Sequence, residues 1–337
     1  MTVRGLTVTF PGLPTVHGVD LDLAPGRLTA VVGESGAGKS VVVAALLGLL
    51  PRSAQVSGRM RLPDDGAGAL DVDLGDRTIL ARQVRGRRVS LVPQSPATWI
   101  TPVRTLGSQL HEAARAVRDR SVTRPAVADA VRTAVGRAQL PEDLLDRYPH
   151  EVSGGQLQRA ALALALVGGA RVLLADEPTT GLDPGLAGLA MGQLRAEADD
   201  GAAVLVVSHD LAAAERVADE VVVLYAGRVV ERATTAAFVG RPAHPYSAGL
   251  LDALPDRAFR SVPGDPPAPG EQVGGCAFRP RCAHAVQRCL TVPALAEVAP
   301  TAEVAPLAPD RTDPARLVAC HRPFAAAPAG TPTGTGS

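Results

Sequence analysis

Short apolar runs recur at intervals up to about residue 235. "LTAVV", "VSLVP", "RVLLAD" and "AVLVVSH" are each bounded by a turn or by a polar residue suited to chemistry. Runs that are apolar on both faces suit strands of a parallel sheet covered by helices. Between them lie helical patterns, beginning with "SVVVAALLGLL" immediately after the first such run. An α/β fold is therefore predicted for this part of the chain. Between Ala97 and His150 the texture changes to Ala-rich and Arg-rich segments, "LGSQLHEAARAVRDR" and "RPAVADAVRTAVGRAQL", which read as a helical insertion. After Arg232 the chain runs through "PAHPYSAGLLDALP" into a Pro- and Gly-rich stretch, Pro263 to Gly275, expected to be a linker or irregular loop. "AEVAP" occurs at 296–300 and 302–306 without a clean period, and the tail from Ala325 is low-complexity and reads as disordered.

The loop between the first buried strand and its helix, "VVGESGAGKS", changes the picture from fold to chemistry. Gly33, Gly38, Lys39 and Ser40 match G-x-x-x-x-G-K-[ST], in which backbone N–H groups curl around a phosphate and an ammonium reaches the β and γ oxygens. Strand, loop and helix fall in the required order, with the helix N-terminus facing the anion. The chain has 34 Lys plus Arg, and Lys39 is its one lysine. A planar guanidinium has the wrong shape for that slot, so lysine survives where arginine replaces it elsewhere.

Lys plus Arg balance 34 Asp plus Glu, which leaves zero formal net charge and argues against nucleic acid as the main partner. The longest apolar runs, Val41 to Leu50 and Ala160 to Ala170, fall short of the roughly 20 residues of a membrane-spanning helix. "MTVRGLTVTF" lacks the pattern of a signal peptide, so a soluble cytosolic chain is expected, one that reaches a membrane only through partners.

Further chemistry sits at strand ends. "RVLLADEP" closes on Asp176, able to hold a Mg²⁺ shell, and Glu177, able to polarise a water for attack on a γ-phosphate. "VLVVSHD" delivers His209 to another strand end, within range of the same phosphate by its order in the chain. "EVSGGQLQRAALALAL" sets Ser153, Gly154, Gly155 and Gln156 before a helix, a start that suits an anion and is equally an ordinary capped helix. Two phosphate-binding elements in one chain are more than one nucleotide needs, unless a second subunit shares them. Cys276, Cys282, Cys289 and Cys320, with five, six and thirty intervening residues, suggest a metal site open to either Zn²⁺ or an iron–sulfur cluster.

"GESGAGKS", Gln94 in "LVPQSP", "SGGQ", "LLADEPTTGLD" and "SHD" occur in the order and spacing of an ABC-type ATPase and resemble its Walker A, Q-loop, signature, Walker B with D-loop, and H-loop. The resemblance covers about residues 1–235. It implies a P-loop NTPase fold with a mostly parallel core sheet, an antiparallel β subdomain and a helical subdomain at about 97–165. It also implies a head-to-tail dimer in which each ATP lies between one subunit's P-loop and the other's "SGGQ". Carried over to these positions, Gly33, Ser35, Gly36, Ala37, Gly38, Lys39, Ser40 and Val41 would bind ATP, and Ser40, Gln94 and Asp176 would hold Mg²⁺. Glu177 would be the general base, with Gln94 and His209 beside it, His209 sensing the γ-phosphate. Asp183 would communicate across the dimer, and Phe10, 23 positions before Gly33, would stack on adenine or else belong to the core.

The remainder narrows the resemblance. "RPAHPYSAGLLDALP", "VPGDPPAP", "GCAFRPRC" and "VACH" look like the C-terminal extension of ATPase subunits in the dipeptide, oligopeptide and nickel branch of ABC importers. This assigns 236–324 to a small irregular extension and 325–337 to the tail. The branch carries a [4Fe-4S] cluster on such cysteines, which is preferred here to Zn²⁺. The implied protein is the ATP-hydrolysing subunit of a short-peptide importer, at the cytoplasmic face of the membrane. It would work with a second, related ATPase, two permease subunits and an extracytoplasmic substrate-binding protein. A nickel or metal-chelate importer is the alternative within the branch, and a soluble ATPase without a transport role the alternative outside it. "TWITPV", Trp99 to Val103, replaces the branch's usual Leu-Asn-Pro where related subunits face the permease, and Val152 stands where Leu is customary before "SGGQ".

Overall fold

The computed structural model describes residues 1–63, 68–118, 122–268, 270–271, 273–298 and 315–324. The second "AEVAP" and the tail from Ala325 lie outside them. The strands are β1 (Thr2–Phe10), β2 (Leu13–Asp22), β3 (Leu28–Val32), β4 (Gln55–Leu62), β5 (Leu70–Asp73), β6 (Val89–Val92), β7 (Val172–Asp176), β8 (Ala203–Val207), β9 (Glu220–Tyr225), β10 (Arg228–Thr234), β11 (Ala296–Glu297) and β12 (Leu317–Val318). The helices are α1 (Lys39–Leu46), α2 (Arg77–Ile79), α3 (Pro96–Trp99), α4 (Leu106–Ala116), α5 (Arg124–Arg137), α6 (Gly154–Leu166), α7 (Pro184–Asp199), α8 (Leu211–Glu215), α9 (Thr235–Gly240) and α10 (Pro245–Asp252).

β9, β3, β8, β7 and β6 form the parallel core in that order, and β10 continues it antiparallel to β9. Every residue of β3 and of β8 is buried. Alternation then divides those of β8 between two cores: Leu205 and Val207 pack with β1, β2, β4 and α1, while Val204 and Val206 pack against α4 to α7. The apolar runs without alternation are thus explained by coverage on both faces. β2, β1, β4 and β5 form the separate antiparallel sheet. The predicted helical insertion is α3, α4 and α5, with Thr105 and Thr123 capping the latter two by accepting from Ser108 N–H and Ala126 N–H.

Two features differ from the sequence reading. The helix after the P-loop ends at Leu46 rather than running through "GLL", because Gly48 takes φ 63° and Leu49 N–H reaches back to Ala44 C=O at 2.8 Å. That is a Schellman ending, which glycine favours and an apolar count cannot see. The extension, expected to be irregular, also contributes β11 and β12, and β12 pairs with the edge of β10.

Glu231 in β10 fastens that extension. It is fully buried, and its carboxylate accepts from Ala243 N–H at 2.9 and 3.1 Å, from His244 N–H at 2.8 Å and from Arg316 Nη2 at 2.7 Å. Removing one member of a buried, hydrogen-bonded pair typically costs about 3–5 kcal/mol, because the partner charge stays behind unsatisfied. Glu231→Ala should lose stability on that scale in urea unfolding, and Glu231→Gln less, since an amide keeps one acceptor. A midpoint unchanged in both variants would show that this carboxylate does not anchor the extension.

Candidate nucleotide site

β3 runs straight into the P-loop and α1 leaves it. Gly33 has φ 151°, and a Cβ there would stand 2.2 Å from Leu224 C=O on the neighbouring β9, so only glycine lets the chain turn against the sheet. Lys39 opens α1 and is 5% exposed, and its Nζ donates to Gly33 C=O at 2.7 Å and Glu34 C=O at 3.0 Å. Burial lowers its pKa, against the opposing pull of the Glu177, Asp176 and Glu34 carboxylates. The ammonium is held inside the loop over which a phosphate would lie.

The acids arrive from the parallel strands. Asp176 ends β7 and its Oδ1 accepts from Ser40 Oγ at 2.9 Å. Burial raises the Asp176 pKa, and the charge of Glu177 adds to the rise; a divalent cation would reverse that by favouring the ionised form. Glu177 has φ 44°, a left-handed conformation that costs a non-glycine residue about 1–3 kcal/mol and recurs at functional sites. Its Oε2 accepts from Gln94 Nε2 at 3.0 Å and from Thr180 Oγ1 at 3.0 Å, and His209 Nδ1 lies 3.2 Å away. Three partners converge on one oxygen and aim it.

A cavity of about 510 Å³ opens above these groups, lined by Phe10, Leu13, Thr15, Ser35, Gly36, the stretch from Gly38 to Val41, Gln94 and Glu177. Phe10 lines this cavity and also packs on the neighbouring core. Leu13, Thr15 and Thr180 were not legible as site residues. Thr180 reaches Glu177 through a local turn that nothing in the sequence marks, whereas tertiary structure brings Leu13 and Thr15 to the P-loop.

The signature and D-loop residues stand apart. Ser153 N-caps α6 in a reciprocal box, with Ser153 N–H donating to Gln156 Oε1 at 2.8 Å and Gln156 N–H to Ser153 Oγ at 3.3 Å. Asp183 N-caps α7 by accepting from Gly185 and Leu186 N–H, both at 3.0 Å. None of Ser153, Gly154, Gly155, Gln156 or Asp183 lines the P-loop cavity. One chain therefore gathers the P-loop, Gln94, Asp176, Glu177 and His209, and presents its serine-glycine helix start elsewhere.

Cys276, Cys282, Cys289 and Cys320 are free thiols, and all four line one small cavity together with His244, His284 and His321. Burial holds the thiols of Cys276, Cys282 and Cys320 above their ordinary pKa, with the neighbouring cysteines adding to it. His244 accepts from Tyr246 N–H through Nδ1, which leaves its buried Nε2 without a partner. The donor set is that of a four-thiolate site. The space is not: the cavity is about 10 Å³, room for one water at most. Among the described residues, no three His, Cys, Asp or Glu side chains are grouped closely enough to hold a metal ion.

Trp99, 58% exposed, and the buried Ile100 line an apolar groove of about 440 Å³ together with residues of α4 and α6. Among the described residues no helix is long and apolar enough to cross a membrane.

A P-loop cradle with a strand-end Asp-Glu pair, a glutamine and a histidine on one carboxylate, and a helical subdomain inserted before α6 define an ATP-binding cassette. The ABC transporter family profile matches residues 16–180, and the profile of the oligopeptide/dipeptide transporter C-terminal region matches residues 230–289. The "Probable peptide ABC transporter ATP-binding protein y4tR" of Sinorhizobium fredii is 36% identical over 318 residues, covering 89% of this chain and 92% of its own. The oligopeptide transport ATP-binding protein OppD of Mycobacterium tuberculosis is 38% identical over 313 residues, covering 89% of this chain and 50% of its own. Among solved structures, the ATP-binding cassette MJ0796, in a dimeric post-hydrolysis state with ADP and Pi, superposes with a TM-score of 0.57 at 23% identity, over 69% of this chain and 98% of its own. The chain belongs to the ATP-binding subunits of ABC transporters, in the branch that carries the oligopeptide/dipeptide C-terminal region. It is an ATPase of that family.

Proposed function

We propose that this subunit drives uptake of short peptides, with ATP closing a head-to-tail pair of ATPase subunits and hydrolysis reopening it. One observation supports the shared site above the rest: the P-loop cavity is complete on its own side and lacks the signature, which faces elsewhere. In this reading the backbone from Ser35 to Val41 and Lys39 hold the phosphates, Phe10 meets the adenine, and Ser40, Gln94 and Asp176 hold Mg²⁺, which neutralises charge on the phosphate oxygens. Glu177, steadied by Gln94, Thr180 and His209, takes the proton of the attacking water. Ser153, Gly154, Gly155 and Gln156 serve the ATP of the partner, and Asp183 lies at the same junction. The partner is a second, related ATPase. Residues 1–235 form the ATPase with its helical subdomain at about 97–165, and 236–324 form the extension.

The groove beside Trp99 is the docking place for one of the two permease subunits, at the cytoplasmic face of the membrane, and an extracytoplasmic capture protein supplies the peptide. Reconstitution in proteoliposomes tests this. ATP turnover should rise with peptide-loaded capture protein, and Ser153→Arg should reduce it about 10²-fold by blocking the second half of the phosphate site. Stimulation by a nickel chelate instead of peptide would move the substrate class. Turnover indifferent to Ser153→Arg would remove the shared site.

The four cysteines, with the unpartnered Nε2 of His244 beside them, would supply the thiolates for a [4Fe-4S] cluster in a structural or redox-sensing capacity. A cubane needs that cavity of about 10 Å³ to widen. Anaerobic purification followed by iron and sulfide analysis decides it. Stoichiometric zinc without sulfide would replace the cluster with a single ion.

A further inference from the structure

The P-loop is gripped from the extension as well as from the sheet, and the grip falls on Glu34. Its backbone N–H donates to Tyr246 Oη at 2.8 Å, its C=O accepts from Lys39 Nζ at 3.0 Å and from Ala37 N–H at 3.2 Å, and its carboxylate takes a forked pair of bonds from Arg281, Nη1 at 2.7 Å and Nη2 at 3.0 Å. Arg281 lies 247 positions further along, between Cys276 and Cys282. Its side chain is 4% exposed. Its Nε donates to Pro263 C=O at 2.7 Å, and its Nη groups also reach Val262 C=O and Tyr225 Oη, both at 3.3 Å. The guanidinium sits 5.7 Å from the Tyr225 ring centroid and 5.8 Å from that of Phe278, and both rings pack on Tyr246.

A solvent-exposed ion pair would contribute little here. This one is forked, buried on the arginine side and backed by carbonyls and aromatic faces, so its geometry is held rather than sampled. A tie meant only to attach the extension could end on any surface acid; Glu231 already does that work. The Arg281 tie ends on the residue whose carbonyl seats the ammonium of Lys39 and closes the turn to Ala37.

We propose that Arg281 is a positioning residue for the P-loop, fixing Glu34 so that the cysteine-bearing loop sets the affinity for ATP. The proposal rests on the P-loop being the ATP site. It extends the chemistry of that site to a segment outside the residues matched by the cassette profile.

Equilibrium binding of radiolabelled ATP and steady-state hydrolysis, both on the assembled transporter, test it with Arg281→Gln, Arg281→Lys, Glu34→Gln and the Arg281→Gln/Glu34→Gln pair. Each glutamine variant should raise the Kd for ATP about tenfold, equivalent to about 1.4 kcal/mol, with kcat changed less than twofold. The double variant should bind no more weakly than either single one, and Arg281→Lys should recover part of the loss. Should Arg281→Gln fail to fold, Glu34→Gln decides alone, since Arg281 holds that carboxylate. An unchanged Kd in Glu34→Gln, or losses that add in the pair, would overturn the proposal. Lys39→Ala separates the two readings: ATP binding that survives it sinks the ATP site itself. Binding lost there but normal in Glu34→Gln sinks only the role of Arg281.

Discussion

Glu177→Gln should lower ATP turnover by the assembled transporter about 10²–10⁴-fold, the range a positioned general base contributes, while ATP still binds. The expectation rests on geometry around a single oxygen. Glu177 Oε2 is met by Gln94, Thr180 and His209, all between 3.0 and 3.2 Å. The backbone at Glu177 is held at φ 44° by its N–H bond to Val207 C=O at 2.9 Å. Glutamine is isosteric and leaves this frame in place, but it cannot take a proton from water. Phosphate release should collapse, and ATP retained on filters should not. Because ATP would then persist, paired subunits should also stay closed longer, visible as a nucleotide-dependent dimer on gel filtration. Turnover within tenfold of wild type would remove Glu177 from the chemistry.

Lys39→Arg should be nearly as damaging and by a different route, with kcat/KM falling about 10²–10³-fold, the scale of one lost oxyanion contact. Arginine is the chain's usual cation, so the substitution keeps the charge and tests shape alone. The ammonium is buried between Gly33 C=O and Glu34 C=O, a slot for a point charge with rotatable donors. A planar fork cannot donate to both carbonyls and then turn to a phosphate. Here the loss should appear first in ATP binding, opposite to Glu177→Gln. Wild-type affinity in Lys39→Arg would show that the slot accepts any cation, and that the solitary lysine carries no such meaning.

Much of the site was legible because its chemistry depends on local order. A P-loop needs a strand, a tight glycine turn and a helix within a dozen or so residues, and Gly33 to Ser40 supply them in sequence. Asp176, Glu177 and His209 are legible because a parallel sheet delivers strand ends to one edge, so apolar runs ending in a polar residue mark that edge. The end of α1 was not, because an apolar run continues past Gly48 while the backbone does not. Thr180 was hidden in a turn, and Leu13 and Thr15 at the start of β2, where nothing local marks a nucleotide.

Glu34 and Arg281 mark the boundary between the two kinds of knowledge. In the sequence, Glu34 occupies one of the four free positions of the P-loop pattern, and Arg281 is one of many arginines in a chain rich in them. Residue type, spacing and order determined that this protein belongs among nucleotide-binding subunits, and that a cysteine-bearing segment follows. The partner of a buried charge is set by which distant segments pack together, and packing is a property of the whole core. Only the folded chain, closing Tyr225 and Phe278 around one guanidinium, decided that the cysteine loop would rest on the phosphate loop.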